Sequence, residues 1–194
     1  MLGYQQVKNI MSQGDFNVIN LNNNKQAIKS WKQYQTKPVT SLGISEAYGL
    51  VCGYSDIEVI DVDLKILCKD VIRPTHEELV NIDAKWKQIL TQLRLSIYKF
   101  DDKVMIVKTK NLGYHIIYRA KNIEGNLKLA KNKSNKALIE TRGKGGYVVM
   151  YNDFVARDYT KLRYILNNDR NALIEACRRF NETMDTAVKE SKKK

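Results

Sequence analysis

The segment Ile57-Glu58-Val59-Ile60-Asp61-Val62-Asp63-Leu64 constrains this chain more than any other. Its apolar, β-branched residues suit a strand, and strand side chains alternate between two faces. Ile60, Val62 and Leu64 then point into a core, while Asp61 and Asp63 share the opposite face about 7 Å apart at Cα. Aspartate is disfavoured in strands, so a paired placement on one face calls for a reason. One reason is a divalent cation, since Mg²⁺ takes oxygen ligands and commonly uses one or two carboxylates. The other is a strand end that runs out into solvent, where acidic residues need no partner.

The rest of the composition narrows the class. A length of 194 residues suits one well-buried domain. A hydrophobic content of 43% with only two prolines argues against a disordered chain. There is no apolar run of the ~18–20 residues a membrane span needs, and Met1 to Ile10 lacks a signal-peptide core. The expectation is a soluble, cytoplasmic protein without a membrane partner. Cys52, Cys68 and Cys177 form no Cys-x-x-Cys pair and read as small core residues of a reducing compartment. With His76 and His115 as the two imidazoles, the composition argues against a zinc site of the usual Cys/His kind. The formal charge of +12 favours a polyanionic partner, nucleic acid above all, although a generic basic protein with a lysine-rich tail, Lys189 to Lys194, gives the same sign.

Periodicity predicts helices over residues 1–13 and 24–35, the second from the spacing of Ala27, Ile28, Trp31 and Tyr34. Strands are expected at 16–20, 49–53 and 57–65. Thr75, with Glu78 three residues on, has capping-box spacing, and the helix after it presents Leu79, Ile82, Trp86, Ile89, Leu90 and Leu93 on one face. A hairpin follows, Val104 to Lys108 and Tyr114 to Arg119 about a turn at Asn111-Leu112-Gly113. Lys121 to Lys136 reads as an exposed connection, and strands return at 137–142 and 146–151. Helices at 158–166 and 170–188, broken at Asn167-Asn168-Asp169, close the chain, the last presenting Leu173, Ala176, Cys177, Phe180 and Met184. Strands and helices mix without strict βαβ alternation, which points to α+β.

Two further segments carry candidate chemistry. In Lys108-Thr109-Lys110-Asn111-Leu112-Gly113-Tyr114-His115 a strand ends in a basic, glycine-containing turn. Its amides and Lys110 suit a triphosphate, with His115 donating to a phosphate oxygen; a satisfied structural histidine fits the same pattern. In Leu138-Ile139-Glu140-Thr141-Arg142-Gly143-Lys144-Gly145-Gly146-Tyr147, Glu140 and Arg142 share a strand face. They read either as a simple ion pair or as a third metal ligand beside a phosphate-binding Arg142 and Lys144. The glycines allow close backbone approach to a ligand and equally suit a hairpin turn.

The order of these segments, Asp-x-Asp, then Gly-x-His, then Glu-x-Arg with a Gly-Gly-Tyr strand, resembles the primase–polymerase (prim-pol) domain of the archaeo-eukaryotic primase superfamily. Lys32-Gln33-Tyr34-Gln35, Gly49-Leu50-Val51-Cys52-Gly53 and Arg179-Phe180-Asn181-Glu182 resemble further segments of that family as found in phage and plasmid replication proteins, and the likeness covers roughly residues 14–182. The chain departs from the family pattern at Asn111-Leu112-Gly113, which lacks a serine and one glycine of Ser-Gly-Gly-x-His. It departs again at Tyr151-Asn152-Asp153, where many members have Pro-Pro-Ser.

The resemblance implies an α+β prim-pol fold with an RNA-recognition-like catalytic sheet, residues 1–160 forming the catalytic domain. Residues 161–194 would then be C-terminal helices and the start of a basic linker. It implies template-directed nucleotidyl transfer in phage- or plasmid-type DNA replication, in the cytoplasm of a bacterial host. Asp61, Asp63 and Glu140 would hold two Mg²⁺ or Mn²⁺ ions. His115, Thr109, Lys110, Asn111, Gly113, Arg142 and Lys144 would bind the incoming NTP or dNTP. The partners implied are a single-stranded DNA template and a helicase domain in a longer polypeptide. A metal-dependent nuclease and a non-catalytic basic nucleic-acid-binding module remain as alternatives, the first lacking the Glu-x-Lys signature frequent in nucleases.

Overall fold

In the computed structural model, residues 1–183 are described, and they form three layers around two sheets. The larger sheet has seven strands. Six run in the order β6 (Lys128–Lys131), β7 (Ala137–Arg142), β3 (Ile57–Asp63), β5 (Gly113–Ala120), β4 (Met105–Thr109) and β9 (Asp153–Ala156), and β10 (Tyr164–Ile165) pairs with β5. The smaller sheet has three, β1 (Val18–Leu21), β2 (Ala47–Val51) and β8 (Tyr147–Val149). Helices α1 (Tyr4–Gln13), α2 (His76–Ser96), α3 (Phe100–Lys103) and α4 (Asn167–Arg178) complete the fold, which is α+β as expected.

Alternation along β3 separates two cores. Ile60, Val62 and Leu64 lie in one, with Ile82, Trp86, Ile89, Leu90 and Leu93 of α2 and Leu173, Ile174 and Cys177 of α4. Ile57 and Val59 lie in the other, between the large sheet and the layer made by the small sheet and α1. The start signal of α2 holds: Thr75 Oγ1 accepts from Glu78 N, and Glu78 Oε2 accepts from Thr75 N. The expected face is buried except at Leu79, in the first turn, which stands off the sheet at 42% exposure. The Trp86 indole stacks on Tyr114 with ring centroids 3.6 Å apart.

Five local expectations are corrected. Residues 24–35 are not a helix: Asn22 Oδ1 accepts from Asn24 N and Gln26 N, Lys25 adopts φ 62°, and a 3-10 turn forms at Lys32–Gln35. Asparagine side chains that bond their own backbone win here over apolar spacing. The connection 121–136 contains β6, an edge strand whose Leu129 and Ala130 are buried while lysines stand at both ends. The expected helix at 158–166 is a 3-10 turn plus β10, because β4 pairs with β5 only as far as Ile117 and leaves Arg119 and Ala120 open to Tyr164 and Ile165. The expected break at 167–169 begins α4 instead, with Asp169 favourably placed in its first turn. The last helix, expected to run to residue 188, ends at Arg178 and gives way to a turn in which the Phe180 and Asn181 N–H groups donate to the Cys177 and Arg178 carbonyls. Met184 and the tail Lys189 to Lys194 lie outside the described residues.

Glu58 sits at the far end of β3 from the aspartates, on its helix-facing side, fully buried. Arg170 of α4 meets it with two hydrogen bonds, 2.6 and 2.8 Å, and the Tyr118 hydroxyl donates a third at 2.8 Å. Two nearly dry charges are stable here only as a pair. Arg170→Met should therefore cost about 3–5 kcal/mol, because it strands the Glu58 carboxylate. Joint replacement of Glu58 and Arg170 by apolar residues should recover most of that loss, measured by urea unfolding.

Candidate active site

β3 lies between β5 and β7, antiparallel to both, and its register sets the site. Asp61 stands opposite His115 on one side and Glu140 on the other. Cross-strand partners project on the same face, so three titratable side chains from three strands meet at one level. Asp63 follows two residues on, opposite Gly113. At this end a cleft of about 400 Å³ opens between the sheets, with β8 of the small sheet facing the carboxylates. Asp61, Asp63, His115, Glu140, Arg142, Thr109 and Asn111 line it. Lys110, Gly113 and Lys144 do not.

Gly113 acts through backbone geometry. A Cβ there would stand 2.5 Å from the Val62 carbonyl oxygen, so only glycine lets β5 approach β3 at this point. Its N–H donates to Thr109 Oγ1 at 3.1 Å, closing the hairpin. Leu112 holds φ 57°, where the resembled motif has a second glycine. Gly143 is confined in the same way, with Cβ space blocked by the Glu124 carbonyl oxygen at 2.1 Å. Lys144 N–H donates to that same oxygen, so its backbone is tied down behind the loop.

The charges in the cleft are balanced locally. Arg142 bridges Glu140, through a short contact from Nη2, and Asp61, 3.6 Å from Nε. Lys65 Nζ lies 2.9 Å from Asp63. Burial pushes the Asp61 carboxyl up to about 6 against the pull of Arg142, with Asp63 adding to the rise. Burial also raises Glu140, again opposed by Arg142. His115 is held down to about 3 by burial, then by Arg142 and Lys25, and is therefore neutral at pH 7. Its Nε2 is 3.7 Å from Asp61, beyond hydrogen-bond length, and its buried Nδ1 has no hydrogen-bond partner among the described residues. A buried imidazole left unsatisfied is costly, which marks the position as one shaped for a further polar group.

Reasoning from sequence missed the opposite wall. Lys25 lines the cleft with Trp31, Asn126, Tyr147 and Tyr151. The Tyr147 hydroxyl donates to the Lys25 carbonyl at 3.0 Å, and Trp31 meets Tyr147 edge-on with centroids 5.0 Å apart. The Asn22-Asn23-Asn24 run is a turn signal that the helical spacing overrode, and nothing in the sequence sets that turn against β8. Among the described residues, no group of three or more His, Cys, Asp or Glu side chains is gathered tightly enough to clasp one ion. The donor chemistry nonetheless fits a hard divalent cation. Carboxylate oxygens from β3 and β7 share a face, and two of the three have their proton affinity raised by burial.

A mixed sheet-and-helix fold with an acidic face opposed by basic and aromatic loops is the kind of site nucleotidyl-transfer enzymes use. The pattern of the bifunctional DNA primase/polymerase N-terminal domain (Prim-Pol) matches residues 10–176, and the chain belongs to that family. Membership carries a primase–polymerase role in nucleotidyl transfer, and enzymes of this family are generally dependent on divalent metal ions. No curated protein compared with the chain matches it. Among the described residues, no helix is long and apolar enough to cross a membrane.

The close approach at Gly113 gives a direct test. Gly113→Ala should cost about 1–3 kcal/mol through overpacking against Val62. Gly145→Ala, at φ 87° with open space around it, should cost about 1–2 kcal/mol through backbone strain alone. In thermal unfolding, Gly113→Ala should also lose incorporation activity at temperatures where it is still folded, because the shift falls beside Asp63.

Proposed function

We propose that this chain catalyses template-directed addition of nucleotides to a growing DNA or RNA strand. The 3′-oxygen attacks the α-phosphorus of an incoming nucleoside triphosphate, and pyrophosphate leaves. The observation that carries this reading is the level at which Asp61, His115 and Glu140 meet, with Asp63 one step along the same strand face. Asp61, Asp63 and Glu140 are the residues that would hold Mg²⁺ or Mn²⁺, which supplies charge neutralisation of the triphosphate and activation of the 3′-hydroxyl.

The other residues have work of their own. Arg142 spans Asp61 and Glu140, fixing both carboxylates and presenting guanidinium N–H groups to phosphate oxygens. Lys25, projecting from the opposite wall, adds positive charge across the cleft from Asp61 and Asp63, and burial lowers its pKa. A cation with less water around it interacts more strongly with a polyphosphate. His115, neutral, has one N–H to donate and one nitrogen to accept. Thr109 and Asn111 line the hairpin side, where the triphosphate would lie. These groups serve the phosphates of the nucleotide and leave ribose or deoxyribose preference unassigned. A phage or plasmid replication setting, with a helicase module in the same polypeptide, fits the resemblance and belongs to the same proposal.

Metal-dependent incorporation of labelled nucleotide on a primed single-stranded template separates this reading from a nuclease and from a binding module. Asp61→Asn with Asp63→Asn should reduce incorporation by about a hundredfold or more while the unfolding midpoint holds. Glu140→Gln should be about as severe as the single Asp61 change, since groups acting as one unit lose function together. A mild Glu140→Gln phenotype would make Glu140 only the partner of Arg142. Lys25→Gln should raise the apparent KM for nucleotide several-fold with oligonucleotide affinity unchanged. Product shortening of a labelled strand without incorporation would turn the assignment to a nuclease.

A further inference from the structure

A second cavity, a groove of about 430 Å³, runs along the outside of β1 under the segment 28–44. Val18, Ile19, Val39 and Leu42 form its apolar floor, and Tyr34 and Trp31 its aromatic side. Trp31 lines both this groove and the catalytic cleft, so the two adjoin across a single side chain. The wall is rigidly built. Asn17, 1% exposed, donates from Nδ2 to the carbonyls of Tyr34 and Lys37, at 2.5 and 2.7 Å, and accepts from Val39 N–H at 2.8 Å. Asn20 exchanges two hydrogen bonds with the Gly43 backbone, 2.7 and 3.3 Å. A buried asparagine given over to one surface loop indicates a shape that is held for use.

The segment that covers the groove is charged with one sign, and Lys29 lines the groove itself. Residues 16–45 contain Lys25, Lys29, Lys32 and Lys37 and no aspartate or glutamate. Ile28 and Ile44, at the rim, are 54% and 84% exposed. An apolar, aromatic-sided track with Lys29 and no acidic residue in its lining, under a segment that also carries Lys32 and Lys37, matches one class of partner, single-stranded nucleic acid, whose bases stack on aromatic faces while its phosphates meet cations. A peptide partner would gain from the apolar floor but gives no reason for the uniform charge.

We propose that this groove carries the single-stranded template toward the cleft, with bases on Tyr34 and Trp31 and phosphates on Lys29 and Lys32. The proposal rests on the primase–polymerase reading and adds a path to it. Fluorescence anisotropy of labelled oligo(dT) with the full chain, over a range of salt concentrations, tests it together with primer extension at saturating template. Tyr34→Ala should weaken oligo(dT) binding about tenfold, Tyr34→Phe should bind as the parent does, and neither should change the apparent KM for nucleotide. Lys29→Gln with Lys32→Gln, at exposed positions, should flatten the log–log salt slope by about 0.7 for each phosphate no longer neutralised. If the parent binds oligo(dT) and incorporates nucleotide while all these variants match it, the groove is not the template path and the catalytic reading stands. If the parent neither binds oligo(dT) nor incorporates nucleotide, both are overturned.

Discussion

Everything functional in this molecule depends on β3 being paired on both edges. A strand with neighbours on either side cannot slip by one residue without turning Ile60 and Val62 outward and Asp61 and Asp63 into the helix-facing core. The hydrophobic cost of that slip holds the carboxylates where they are. The buried Glu58–Arg170 pair reinforces the constraint, since a shift of β3 would also pull a charge away from its partner on α4. A strand that carries two kinds of buried requirement on alternating faces has one workable register, and that register brings His115 and Glu140 to Asp61.

From this follows the electrostatic character of the cleft. The carboxylates sit on the rim of a core, partly desolvated, and the chain supplies Arg142, Lys65 and Lys25 against them from three different elements. Positive charge therefore surrounds an acidic centre, an arrangement that suits a substrate which is itself polyanionic and is handled through cations. His115 stays neutral in this setting because burial disfavours its charged form, with Arg142 and Lys25 adding to that effect against Asp63.

Much of this was legible from alternation alone. The pattern of β3 gives both its faces and its aspartates, the hairpin around Gly113 appears at its turn residues, and the capping box at Thr75 starts α2 where expected. What the sequence hid were decisions made at a distance. The spacing of Ala27, Ile28, Trp31 and Tyr34 is helical, yet the segment wraps across the small sheet, held by Asn17 and Tyr147 from elsewhere in the chain. Tyr164 and Ile165 become a strand only because β4 ends early and leaves part of β5 unpaired. The cleft wall carrying Lys25 is for the same reason invisible until the two sheets are placed together.

The division between sheet and loops has a further consequence. The carboxylates and His115 are fixed in paired strands, whereas Lys25, Trp31, Thr109 and Asn111 stand on or beside loops that meet the cores at a few points, Ala27, Trp31 and Leu112. Changes during descent in the 22–31 and 110–112 loops that keep Ala27, Trp31 and Leu112 packed would therefore leave the strand-borne carboxylates in place. Members of such a lineage would diverge in which nucleotides and strands they accept while keeping the same reaction, and grafting either loop between them would move substrate choice with it.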